Sequence, residues 1–383
     1  MKTFREMTPE RLGEIVARFP QMRIAVIGDF FLDKYLDIDP GLAEVSLETG
    51  KTCHQVTRIR HSPGAAGTVV SNLSALGTGT LYAIGFTGED GESYDLRRDL
   101  AAMRCSTEHL VCDPERMTPT YLKPRDKTDP SLAGEHNRYD TKNRALTTAE
   151  VQERLVASVD ALLPRLDALI LADQVEEKDC GVITTRVAEA IADRARRFGS
   201  WDSEAGRKSG SALPTPNSQL PTRVVFWADS RRRIRQFRNV IIKPNQFEAV
   251  GWESPPPDAS VRVSELVKAV RRLREEIGAP IVATRGAEGM LVSDPAITLV
   301  PGVRVEGPID PTGAGDSATA GTVLALAAGA TLPEAALVGN LVASITVQQL
   351  ATTGVARPGE LPPRLGVWLD QVAGERGDFR AGR

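Results

Sequence analysis

Runs of consecutive apolar residues, each closed by a polar one, recur along the chain, and helical patterns fill the gaps between them. After a short helix at 9–18, residues 22–28 read as a buried strand ending at Gly28-Asp29. Similar runs lie at 168–172, 224–228, 240–242 and 281–284, with helical patterns at 68–76, 92–103, 149–163, 181–197 and 261–277. Strands apolar on both faces suit a parallel sheet covered by helices, so the alternation predicts an α/β fold with a mostly parallel sheet. In such sheets ligands bind beyond the carboxyl ends of the strands. Asp29, Asp173, Asp229 and Asn245 all fall at or just past predicted strand ends, which puts polar side chains along one rim.

Two stretches break the alternation. Residues 36–60 and 118–140 hold short β-like pieces rich in Thr, Val and Tyr, separated by polar turns. They predict a small antiparallel sheet projecting as a lid, although long surface loops share this composition. Residues 199–222 are Ser, Pro, Gly and charges with little to bury, the composition of a flexible insertion. Residues 374–383 read as a polar tail, leaving one domain over 1–373.

Composition narrows the function classes. The chain has 383 residues, 41% hydrophobic and 25% charged, typical of a globular protein. A net charge of −3 gives no general basic character for nucleic acid or anionic membrane. Cys53, Cys105, Cys112 and Cys180 are scattered without Cys-x-x-Cys spacing, which argues against zinc or a disulfide framework and fits a reducing cytoplasm. Neither a signal-peptide core nor an apolar run of membrane-spanning length is found, so a cytoplasmic protein is expected.

The most informative stretch is Asp310-Pro311-Thr312-Gly313-Ala314-Gly315-Asp316, followed by a run of small and apolar residues that reads as a helix. Its glycines allow a tight turn at a helix N-terminus, where unpaired N–H groups and the positive dipole end favour a phosphate. Asp316 would sit on the first turn, so the pattern suggests phosphoryl transfer to a hydroxyl with Asp316 as base. A simple helix cap would use the same spacing. The remaining motifs carry the case.

Over about residues 22–367 the chain resembles the ribokinase-like (PfkB) family of carbohydrate kinases. Residues 310–316 resemble its C-terminal signature, Asn245-Gln246-Phe247-Glu248 its Asn-x-x-Glu motif, and Thr284-Arg285-Gly286-Ala287-Glu288-Gly289 its nucleotide-side turn. Gly28-Asp29-Phe30-Phe31-Leu32-Asp33 is most similar to the heptose-phosphate kinase branch. Some of that branch carry a fused nucleotidyltransferase domain. His54, His61, His109 and His136 include no His-x-Gly-His, so a kinase module alone is expected.

The resemblance implies a three-layer α/β/α fold, ATP and Mg²⁺, and transfer of the γ-phosphoryl to a sugar or sugar-phosphate hydroxyl. Asp316 would be the base, with backbone N–H groups of Gly313, Ala314 and Gly315 holding developing charge. Asp33 would bind sugar hydroxyls, with Asp29 as the alternative or else as a strand-end cap, and Gly64 would let the backbone approach the sugar. Asn245 and Glu248 would hold Mg²⁺ through water, or else form a capping pair. Thr284, Gly286 and Gly289 would lie near the nucleotide phosphates and Asn340 near adenine or ribose. Asp310 and Thr312 would contribute to a K⁺ site.

Where the family shows Gly-Gly-Ala-x-Asn, this chain has Gly64-Ala65-Ala66-Gly67-Thr68. Ala65 stiffens a glycine hinge, and the Thr68 hydroxyl replaces an amide, so the sugar contacts must differ. Arg58, Arg60, Lys123, Arg125, Arg138, Lys142 and Arg144 on the lid segments could clamp a substrate phosphate or form a solvated basic face. A non-catalytic regulator and a nucleoside or vitamin kinase are the alternatives on this fold. A homodimer through exposed edges of the small sheet is expected.

Overall fold

The computed structural model describes residues 1–129, 134–199, 223–256, 258–350 and 353–381, so the expected insertion lies, but for Gly199, outside the described residues. Six parallel strands form the central sheet in the order Ile241–Ile242, Val225–Ser230, Ala168–Asp173, Arg23–Gly28, Thr80–Thr87, Cys105–Cys112. The chain builds outward from Arg23–Gly28 to one edge, then returns to build outward from Ala168–Asp173 to the other. The switch between these two strands is where an open parallel sheet offers a ligand crevice.

Helices cover both faces, as continuous apolar strands require. One core packs Val26, Ile170 and Trp227 under Ala66–Ala75, Ala314–Ala327 and Leu332–Thr346. The other packs Ile27, Leu171 and Phe226 under Ala149–Leu162, Thr185–Phe198 and Val263–Ile277. Thr148, Thr184 and Thr331 each cap a helix by accepting a backbone N–H, which sets where those helices begin. The fold is the expected three-layer α/β/α arrangement.

Other details differ. Thr80–Thr87 and Cys105–Cys112 were not among the predicted strands: Thr80, Tyr82 and Gly85 interrupt the apolar run of the first, and the second is an edge strand with mixed exposure. Val282–Thr284 belongs to a four-stranded sheet with Met290–Val292, Thr298–Val300 and Lys2–Thr3, joined to the central sheet by isolated bridges Ile242–Ile281 and Asn245–Thr284. The final helix, Leu361–Ala381, runs through most of the stretch read as a tail, since composition reports polarity and not backbone pitch. No helix among the described residues is long and apolar enough to cross a membrane.

The third sheet lies on the rim, in the order Thr52–Ala65, Phe30–Val45, Thr120–Asp126, Tyr139–Thr141. It is mixed, not antiparallel as expected: Phe30–Val45 and Thr120–Asp126 run parallel because the chain crosses the main domain between them. Phe30 follows the central strand Arg23–Gly28 by one residue, Asp29, and Ala65 leads directly into Ala66–Ala75. The small sheet is thus attached to the main body at the switch point.

Candidate active site

The loop before Ala314–Ala327 turns at Gly313, whose φ of 75° is left-handed and easy only without a Cβ. Asp310 braces the turn: its Oδ1 accepts the Thr312 N–H at 3.0 Å, and its own N–H donates to Val347 O at 2.8 Å. The Ser317 N–H and Oγ both donate to Gly313 O at 2.9 Å. Ala314 N–H donates to Pro311 O at 3.1 Å. Of the three donors expected to face a phosphoryl group, Ala314 is therefore already paired, because so tight a turn closes on itself.

Asp316 stands in the first turn of this helix. Burial raises its pKa to about 7, Asp229 pushes the same way, and the Lys243 ammonium opposes them. Lys243 Nζ lies 2.8 Å from Asp229 Oδ2, and Thr319 Oγ1 donates to the same oxygen at 3.1 Å. A Cβ on Gly315 would lie 3.5 Å from Lys243 Nζ. Burial acts to lower the Lys243 pKa, yet Asp229, Asp316 and Glu248 together hold it above its ordinary value.

Asn245 and Glu248 form the capping box of the short helix Gln246–Val250. Asn245 Oδ1 accepts from Phe247 N (2.8 Å) and Glu248 N (2.9 Å), and Glu248 Oε2 accepts from Asn245 N (2.7 Å). The capping alternative is therefore realised. Burial raises the Glu248 pKa, against the Asn245 N–H and Lys243. Its second oxygen takes no part in the cap, which fits Mg²⁺, an ion that keeps its waters and needs few protein ligands.

Beside this cluster opens a cleft of about 460 Å³ that gathers Thr284, Gly286, Gly289, Ala314, Gly315 and Asn340. Its walls are mainly apolar, including Met290, Val303, Ile309, Ala318 and Val347, which suits a flat aromatic base. Thr284 N–H is tied to Pro244 O at 2.9 Å, and Gly289 turns with φ 91°. Asn340 Nδ2 donates to Val300 O (3.3 Å) and Pro301 O (3.1 Å), so its amide serves the wall and does not project freely into the cleft.

On the other side of the loop lies Asp33, buried on Phe30–Val45 with Oδ1 2.7 Å from Lys123 Nζ. A Cβ on Gly64 would reach 2.8 Å from Asp33 Oδ2, so the glycine makes room for this carboxylate. Ser62 faces Asp33 in register, and its Oγ lies 3.3 Å from Thr353 Oγ1. Thr353 and Thr68 both approach Gly313, with Cγ2 atoms 3.7 and 3.4 Å from where its Cβ would be. The small sheet and the phosphate turn are thereby linked.

Asp29, at the end of its strand, holds a neighbouring loop. Its carboxylate accepts N–H bonds from Val182 (2.7 Å), Gln174 (2.9 Å) and Val175 (3.1 Å), and so holds the loop after Ala168–Asp173. Several lid cations are internally paired: Arg60 with Asp37, and Arg138 with Asp140. Asp229, Thr319, Ser62 and Thr353 were not identified from sequence as site residues. Only the strand-end position of Asp229 gave any signal.

Residues 223–357 match the family described as pfkB family carbohydrate kinase. The chain is similar to the bifunctional protein HldE of Nitrobacter winogradskyi, 27% identical over 377 residues, covering 94% of this chain and 68% of that protein. It is also similar to the bifunctional protein HldE of Geotalea uraniireducens, 29% identical over 373 residues, covering 94% and 66%. It thus spans about two thirds of these relatives' length. Among solved structures, phosphofructokinase-2 from Escherichia coli, in complex with substrates and products, superposes with a TM-score of 0.61 at 17% identity, covering 90% of this chain and 99% of that one. Arabidopsis thaliana ribokinase, complexed with ribose and ATP, gives 0.58 at 15%, covering 90% and 98%. At such identities these structures speak for the fold. Taken with the sequence matches, they support an ATP-dependent phosphotransferase with an alcohol group as acceptor, in a chain whose residues 223–357 match the pfkB carbohydrate kinases.

Proposed function

We propose that this protein transfers the γ-phosphoryl of ATP to a hydroxyl of a sugar or heptose-phosphate-like sugar phosphate, with Asp316 as general base. The observation that carries this reading is the position of Asp316, on a first helical turn between an apolar cleft and the Asp33 face, with a pKa near 7. A base with a pKa near neutrality combines a useful ionised fraction with real basicity. Asp33, held by Lys123, would orient the acceptor, and Thr68 would contribute a hydroxyl beside Gly313. The proton passes to Asp316 as the acceptor oxygen bonds to phosphorus and ADP leaves in line.

Mg²⁺, held through water by the Glu248 oxygen left out of the cap, would supply neutralising charge on the nucleotide phosphates, while Asn245, whose Oδ1 is taken by two N–H bonds, would fix that helix start; a K⁺ role for Asp310 and Thr312 belongs to the same proposal. An acceptor that is itself a phosphate would draw Arg138, Lys142 and Arg231, which line the pocket beside Tyr121, away from the Asp140 and Glu176 carboxylates that pair them here. A cytoplasmic homodimer paired through the edge strand Thr52–Ala65 completes the reading. ADP release measured against a panel of free sugars and sugar phosphates tests it. Turnover with a sugar phosphate is expected, and release no faster than without acceptor across the whole panel would refute it.

A further inference from the structure

Lys243 has no role in the scheme above. A buried ammonium is costly unless counter-charges meet it, and this one lies at the floor of the phosphate turn, beside Gly315 and 2.8 Å from Asp229 Oδ2. Three carboxylates bear on it from separate elements: Asp229 on Val225–Ser230, Asp316 on Ala314–Ala327 and Glu248 on Gln246–Val250. Thr319, from the same helix as Asp316, adds a hydroxyl to the Asp229 oxygen that Lys243 shares. Lys243 is the ammonium among these carboxylates, placed where an anionic phosphoryl group must react.

We propose that Lys243 is a positioning residue for the transfer: its ammonium, pinned by Asp229, keeps the Asp316 carboxylate ionised and ready for the hydroxyl proton. This rests on Asp316 being the base. The coupling itself can be measured without any acceptor. In urea unfolding of the full chain, the stability difference made by Asp316→Asn grows from about pH 4, and the midpoint at which it levels off reports the ionisation of Asp316 in the folded protein. That midpoint is expected near 7 in the otherwise unaltered chain. In a Lys243→Met background it should rise by about one unit or more, a tenfold change in ionisation, while Lys243→Arg should leave it in place.

If Lys243→Met does not fold because Asp229 is left buried and unpaired, the double variant Asp229→Asn/Lys243→Met removes both charges. Its midpoint should return toward that of the unaltered chain, since Asp229 raises and Lys243 lowers the same group. An unmoved midpoint in Lys243→Met, or a double variant shifted upward by a unit, overturns the proposal. With the most active acceptor, kcat for Lys243→Met should fall about fivefold or more at pH 7 and recover by pH 9. An equal loss at every pH would mark a merely structural role. Near-normal turnover by Asp316→Asn would instead remove the reading of Asp316 as base, even with the coupling intact.

Discussion

Burial holds back the ionisation of Asp316 and Lys243 partly restores it, and the consequence for stability has a definite sign. Its pKa rises from 3.8 to about 7 on folding, so bound protons favour the folded state. That stabilisation is complete below about pH 4 and is lost as pH rises through 7. Asp316→Asn should therefore change stability little near pH 4 and add up to about 4 kcal/mol at pH 8, about 1.4 kcal/mol for each unit of the shift, read from urea midpoints at the two pH values. A variant less stable than the parent at pH 8 would contradict the burial argument. Chemistry of this kind is legible from sequence only in part. Gly313 to Asp316 are contiguous, so the turn can be seen in the residues themselves. Asp229 and Lys243 are separated by 14 positions, 243 − 229, and their pairing depends on two strands lying side by side.

The junction of the small sheet with the first α/β unit is where local rules are broken. Ala65 has φ 53° and ψ −117°, a conformation that glycine tolerates and alanine resists. Ala65→Gly should raise the urea midpoint, by about 1 kcal/mol in stability after the entropy that glycine adds to the unfolded chain; a lowered midpoint would show the residue is unstrained. Its neighbour makes the opposite demand. Gly64→Ala puts a Cβ 2.8 Å from Asp33 Oδ2, so Asp33 or the strand must move. We expect KM for the acceptor to rise about tenfold or more with KM for ATP unchanged, and a rise in both would place Gly64 outside the acceptor side. At this scale the sequence was informative where burial of both faces decided the pattern. Arg23–Gly28 and Ala168–Asp173 are apolar on both sides and were visible as strands. The parallel pairing of Phe30–Val45 with Thr120–Asp126 was not, because strand direction depends on a crossover and not on either segment's composition.

Across the whole molecule, the site divides into two halves that meet at one turn. The cleft of Thr284, Gly286 and Asn340 is built by the C-terminal half of the chain, while Asp33, Gly64 and Thr68 come from the N-terminal half. Gly313 touches both, since Thr68 packs against it and the next two residues line the cleft. The central claim is that Asp316, at this meeting point, accepts the proton of the acceptor hydroxyl. It is tested most directly by comparing ADP release from Asp316→Asn and the parent, with the acceptor identified from the panel, while following MgATP binding by calorimetry. The account predicts that Asp316→Asn binds MgATP about as tightly as the parent and loses at least about a hundredfold in kcat; near-normal turnover with intact binding would contradict it.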